Sequence, residues 1–226
     1  QSATIATGAA TTFTNVQVDG QLTFENGAEL DLLSNLMVGD ITIAGSGIID
    51  GGDSGFAITG GTLLLDDVTI KNAEIDKAVE LVDDSNAILR GVTLNSTVDV
   101  NDSNGDGNLF TTDTKDVLTL DGVTLNDTVN VASNGAILIL GDIVGNSVSI
   151  GVSTNATANA IKISGASINS VTFAGAQSAT IATGAATTFT NVQVDGELTL
   201  EAGVTLSLAS DLVVGNITIE GAGTVD

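Results

Sequence analysis

The stretch Gln1–Gly20, QSATIATGAATTFTNVQVDG, returns letter for letter as Gln177–Gly196, an offset of 176 residues. Continued to Asp50 against Asp226, the two copies differ at 14 of 50 positions, mostly by like-for-like exchanges such as Phe24 for Leu200, Met37 for Val213 and Asp40 for Asn216. Self-similarity at a fixed period is the mark of a repeat architecture. The chain therefore reads as one full unit, residues 1–176, and the start of a near-identical second, residues 177–226, continuous with it. A segment of a longer tandem array is expected.

A shorter grammar runs inside the unit: an apolar, x, apolar triplet, a small or acidic corner, a second triplet, then Asn. LLLDDVTIKN ends at Asn72, AILRGVTLN at Asn95, VLTLDGVTLN at Asn126, AILILGDIVGN at Asn146, AIKISGASIN at Asn169 and IATGAATTFTN at Asn191. The successive spacings are 23, 31, 20, 23 and 22 residues, so a rung is about 22 residues long and about eight fill the unit. Alternation of period two in short runs broken by Gly, Asn and Asp predicts strands and turns, and no stretch has a useful 3.6-residue period. Short strands at this spacing predict an all-β parallel β-helix, or β-solenoid, with inward Ile, Val and Leu stacked in columns. An Asn at a fixed place in each rung passes hydrogen bonds to the next as an amide ladder. A β-sandwich array is the competing arrangement for strands so short.

Composition narrows the chemistry. The chain is 42% hydrophobic and has no His, Cys, Pro, Trp or Tyr. An imidazole base, a thiolate nucleophile and the usual zinc ligands are thereby excluded, which leaves carboxylate chemistry. Five basic against 28 acidic side chains give a net charge of −23, so nucleic acid and anionic lipid are repelled and cations are the natural counter-ligands. No apolar run reaches the roughly 18 residues of a membrane span.

ITIAGSGIIDGG at Ile41–Gly52 and ITIEGAGTVD at Ile217–Asp226 resemble the rungs of right-handed parallel β-helices. That superfamily includes pectate lyases and polygalacturonases, and also filamentous-haemagglutinin-like and autotransporter-like bacterial adhesins. For a lyase the resemblance implies an Arg or Lys base beside a calcium-binding carboxylate cluster; for a hydrolase, grouped Asp residues. Only Lys71, Lys77, Arg90, Lys115 and Lys162 are basic, and no Trp or Tyr is present to stack a sugar ring. The adhesin-like side of the resemblance fits better.

The sharpest local motif is Asp102-Ser103-Asn104-Gly105-Asp106-Gly107-Asn108-Leu109, followed by Asp113. Its spacing follows a calcium loop, with Asp102, Asn104, Asp106, the carbonyl of Asn108 and Asp113 as the candidate ligands and Gly107 at the sharp turn. Asp113 stands where a bidentate Glu is usual and Phe110 where a polar residue is usual, so a solvated Asn/Gly/Asp loop is the alternative. Asp83 with Asp84 and Asp50 with Asp53 are weaker metal candidates.

Fourteen of the 28 acids lie between Asp66 and Asp127, which predicts a hydrated outward wall or a cation-binding one. Thr69, Thr93, Thr124, Ser167 and Thr188 are expected to share an outward hydroxyl stripe. Sequons occur at Asn95, Asn101, Asn126, Asn155 and Asn216, and those on the ladder, Asn95 and Asn126, are expected to be buried. The six Phe residues, Phe13, Phe24, Phe56, Phe110, Phe173 and Phe189, read as core or corner fillers.

These observations lead to a non-enzymatic structural or adhesive segment of an extracellular or cell-surface fibre, stabilised by calcium. Its partners are expected to be further copies, through solenoid ends or neighbouring repeats, and a surface or glycan ligand, with no nucleic acid and no membrane insertion. The alternatives are a calcium-dependent polysaccharide-degrading enzyme and an ice- or carbohydrate-binding solenoid.

Overall fold

The computed structural model describes residues 2–102, 117–133, 135–153, 160–175, 179–214 and 218–226. Every regular element among them is a β-strand. All strand pairs are parallel, and successive rungs stand about 21 residues apart, as in a β-solenoid. The sandwich alternative is thereby set aside.

Each turn of the coil has three faces. Ser2–Ile5 begins the first face, Thr11–Phe13 the second, and the start of Gln17–Phe24 the third. The second face is an eleven-stranded sheet ending at Thr218–Gly221. The first and third faces are joined where Gln17–Phe24, Leu36–Ala44, Ile143–Val152 and Ser167–Gly175 each bend across a corner and pair on both. Eleven rungs at about 4.8 Å make a rod roughly 50 Å long.

The rule that successive side chains of a strand point to opposite sides decides the core. Leu63 and Leu65 are buried while Leu64 between them is not, and Ile137, Ile139, Ile161, Ile163 and Ile181 continue one second-face column pair. Like stacks on like, so a narrow core is filled mainly by aliphatic side chains.

Corners require left-handed backbone, which Gly and Asn supply at low cost. Asn15, Asn72 and Asn191 have φ of 54°, 52° and 51°. The 31-residue spacing seen in the sequence is the register Val98↔Val129, so the additional residues enter between two rungs that remain paired.

The repeat is not a whole number of turns. Ser2–Ile5 pairs on the first face, whereas its copy, Ala179–Ile181, pairs with Ile161–Ile163 on the second. Thr11–Phe13 lies on the second face and its copy Thr187–Thr190 on the third; Gln17 lies on the third and Gln193 on the first. Local geometry is nevertheless reproduced: the amides of Asn15 and Asn191 each donate to a Ser Oγ, Ser34 and Ser210, at 2.6 Å. The 176-residue offset thus spans eight turns and one further face. Because all three faces offer the same parallel ladder and apolar interior, one sequence is accommodated on any of them.

Candidate functional site: outward columns, corners and grooves

Stacking turns residues about 20 apart into neighbours. On the second face the outward column runs Thr12, Asp31, Asp50, Lys71, Arg90, Asp121. Lys71 Nζ lies 3.0 Å from both Glu29 and Asp50, and Arg90 Nε lies 2.7 Å from Asp121. Partial burial pushes the Asp50 carboxyl up, but bonds from the Gly52 amide, Lys71 and Asn72 outweigh it and hold Asp50 below its ordinary value. Asp50 and Glu29 hold Lys71 above 10.5.

Carboxylate oxygens of Glu29, Asp31 and Asp50 fall within 4.8 Å of one another. The Lys71 ammonium bonds two of the three, so the group is built as an ion-pair network. The sequence had paired Asp50 with Asp53; the rung register instead joins it to Glu29, Asp31 and Lys71. That grouping was legible only once register was known.

A pH dependence follows. A depressed carboxyl contributes stability that is complete above its unfolded value and is lost as pH falls through the folded one, and a raised amine loses its contribution as pH rises. The melting-temperature gap between the native chain and Lys71→Met is therefore expected to be widest from about pH 5 to pH 10 and to narrow below about pH 4 and above about pH 10.5. A gap independent of pH contradicts the network.

The Asn ladder exists but stands outside the core. Asn126 Nδ2 donates to Asn95 Oδ1 at 2.6 Å, Asn146 donates to Asn126, and Asn95 donates to Asp76 at 2.7 Å. Asn126 and Asn146 are exposed and Asn95 half-buried, which corrects the expectation that the ladder sequons are buried. Asn72 lies on a different corner and bonds Asp50 instead, at 3.1 Å. Since each net hydrogen bond contributes about 0.5–1.5 kcal/mol and water competes at this surface, Asn126→Ala is expected to cost no more than about 2 kcal/mol by urea unfolding.

The hydroxyl stripe is also corrected. Thr69 is on the second face, and Thr93 and Thr124 share a third-face column that continues to Val144. That column passes on to Asn169, and Ser167 and Thr188 pair with each other two residues aside from it, continuing to Ser207. Val144 and Asn169 thus interrupt the Thr93–Thr124 column, so the named hydroxyls do not form one array.

The calcium candidates Asn104, Asp106, Asn108 and Asp113 lie outside the described residues, as does the side chain of Asp102, whose backbone ends the strand Val98–Asp102. Phe110 lies there too. Phe24, Phe173 and Phe189 are buried as expected, with the rings of Phe173 and Phe189 stacked at 6.0 Å, while Phe13 and Phe56 are half-buried against the core.

Two grooves recur with the repeat. One, of about 610 Å³, is lined by Asn15, Val16, Gln17, Ser34, Asn35 and Met37, with Phe56 and Thr59 beside them. The other, of about 560 Å³, is lined by the copies of the first six, Asn191, Val192, Gln193, Ser210, Asp211 and Val213, with residues of the preceding rungs. Amides and hydroxyls line both beside apolar side chains, with the Asp211 carboxylate in the second where the first has Asn35. The two grooves open on different sides because the copies sit on different faces.

Inside the rod, the Thr187 hydroxyl is buried with no hydrogen-bond partner. An unmet buried hydroxyl costs about 1–3 kcal/mol. Thr187→Val is expected to raise the unfolding free energy by about 1 kcal/mol.

Fold and surface together define the chain as a parallel β-solenoid built of tandem copies. No family model, no curated protein and no solved structure matches it.

Proposed function

We propose that this chain is a structural and adhesive segment of an extracellular or cell-surface tandem-repeat β-solenoid fibre. The carrying observation is that the second copy joins the ladder of the first with no break in pairing on any described face. A unit that adds turns to a rod without interrupting it supplies length. Of the four described basic side chains, Lys71, Lys77, Arg90 and Lys162, three are bonded to carboxylates: Lys71, Arg90 and Lys162.

Chains of one, two and three copies of residues 1–176 are expected to form unbranched rods under the electron microscope, each copy adding about 40 Å at 4.8 Å per turn. Globular particles of constant length overturn the reading. The adhesive part rests on the two grooves, and an uncharged glycan is the ligand proposed for them. A glycan array is expected to give signal that Gln17→Glu together with Gln193→Glu abolishes; no signal removes adhesion and leaves the spacer.

Calcium at Asp102, Asn104, Asp106, Asn108 and Asp113 belongs to the same proposal. A ligand that binds only the folded state raises its melting temperature. Added calcium is expected to raise it and chelator to return it; no shift removes the metal.

A further inference from the structure

The middle of the third face carries hydrogen-bonding groups that the protein itself leaves unspent. On successive rungs Glu74 and Asp76 flank Ile75, Thr93 and Asn95 flank Leu94, Thr124 and Asn126 flank Leu125, and Val144 and Asn146 flank Gly145. Ile75, Leu94 and Leu125 are buried, so their neighbours form two outward columns, Glu74–Thr93–Thr124–Val144 and Asp76–Asn95–Asn126–Asn146. Each of these rungs is paired below and above, so the columns face solvent in the uninterrupted coil. The hydroxyls of Thr93 and Thr124 bond no other described residue. Asn126 and Asn146, both exposed, each spend one amide N–H on the ladder and keep the other. Asn95 instead donates to both Glu74 and Asp76, at 2.5 and 2.7 Å, and these two carboxylates are the only charges in the two columns. Val144, 45% exposed, adds an apolar spot beside the hydroxyls.

We propose that this face binds the surface of an insoluble, uncharged polysaccharide whose chains lie along the rod axis. The free groups repeat along the axis at the rung spacing of about 4.8 Å, and an extended β-linked sugar unit is close to one rung in length. A peptide strand repeats its same-side groups about every 6.6 Å, so it falls out of step with the rungs. Sugar hydroxyls meet the Thr and Asn side chains, and ring C–H groups meet Val144. Glu74, Asp76 and the net charge of −23 turn an anionic chain away. The ladder already holds its amides in place, so little freedom is lost when they bind. A flat, exposed face makes few bonds to one short oligosaccharide, and the partner is therefore a polymer surface, on which many repeats act together. The proposal deepens the adhesive reading and rests on it for the class of ligand, but no residue of the two grooves takes part.

The test is co-sedimentation of the 226-residue chain with insoluble cellulose and with insoluble chitin. The native chain is expected to pellet with at least one of the two. Thr124→Val together with Asn126→Ala is expected to weaken that binding about tenfold, the effect of losing two exposed hydrogen bonds, while Thr119→Ala on the second face leaves it unchanged. Thr93→Val, expected to weaken it about threefold, repeats the test where the double variant loses its β circular-dichroism signal. A native chain that pellets with neither polymer, or ladder variants that pellet as well as the native chain, overturns the proposal. Thermal hysteresis that the native chain shows and the double variant lacks assigns the face to ice and overturns it too. Gln17→Glu with Gln193→Glu separates the two sites. Pelleting lost in that variant and kept in the ladder variants fails the proposal and leaves the groove reading, whereas native pelleting without any signal from short soluble glycans fails the groove reading alone.

Discussion

Leu120→Ala is expected to lower the unfolding free energy by about 2–5 kcal/mol, against no more than about 0.5 kcal/mol for Thr119→Ala one residue away. Leu120 is fully buried, with Leu89 stacked beneath it and Ile139 above. Truncation leaves a cavity that a column of rigidly paired strands cannot collapse into. Thr119 points outward between Ile88 and Leu138 and touches no core. Urea unfolding of the two variants measures the difference, and equal effects contradict the assigned inward and outward sides. Because each rung contacts only its neighbours, hydrogen exchange is expected to show the loss concentrated in the rungs around residue 120.

Gly60→Ala is the second large effect. Gly60 has φ of +133°, and a Cβ there falls 1.4 Å from the carbonyl oxygen of Val38 in the rung below. Backbone strain and overpacking each cost about 1–3 kcal/mol, and here the obstacle is backbone that cannot rotate away. Gly27→Ala provides the comparison: its φ of +79° is also left-handed, but nothing lies within 4 Å of the added carbon. It is expected to cost only the conformational penalty, about 1–2 kcal/mol. Melting curves that rank the two variants in the opposite order contradict the rung-on-rung approach at Gly60.

Much of this architecture is legible in one dimension. Triplets such as LLL at Leu63–Leu65 and IKI at Ile161–Ile163 state the alternation of the core, and the Asn after each pair of triplets marks a corner. The corners themselves were misassigned, because Asn72 and Asn95 read alike in sequence yet turn different corners, the first before the third face and the second after it. Local chemistry sets the turn, but which face it leads to depends on the number of strands already wound. The same gap concealed the Lys71 network: rung lengths of 19 and 21 residues bring Asp31, Asp50 and Lys71 into line, with Glu29 two residues aside and within reach of Lys71. The threonine stripe failed for that reason too, since the column of Thr124 runs on to Val144 and Asn169 and leaves Ser167 two residues aside.

The advance of one face per repeat also has a physical use. In an array with whole-turn repeats, every copy of an exposed apolar residue such as Met37 falls on one side of the rod, and a continuous stripe invites lateral association. Advancing by a face distributes such residues, and the twin grooves, around the axis. Equivalent positions return to the same side only after three copies.

The absence of Cys in the chain permits a direct test of that winding. Neighbouring rungs stand about 5 Å apart, within the Cα separation a disulfide spans. Thr172 and Gln193 are first-face partners, whereas Asn169 lies on the third face opposite Thr190. Under mild oxidation, Thr172→Cys with Gln193→Cys is expected to cross-link within one chain nearly to completion, and Asn169→Cys with Gln193→Cys to remain reduced. The reverse result places the second copy on the same faces as the first and contradicts the account.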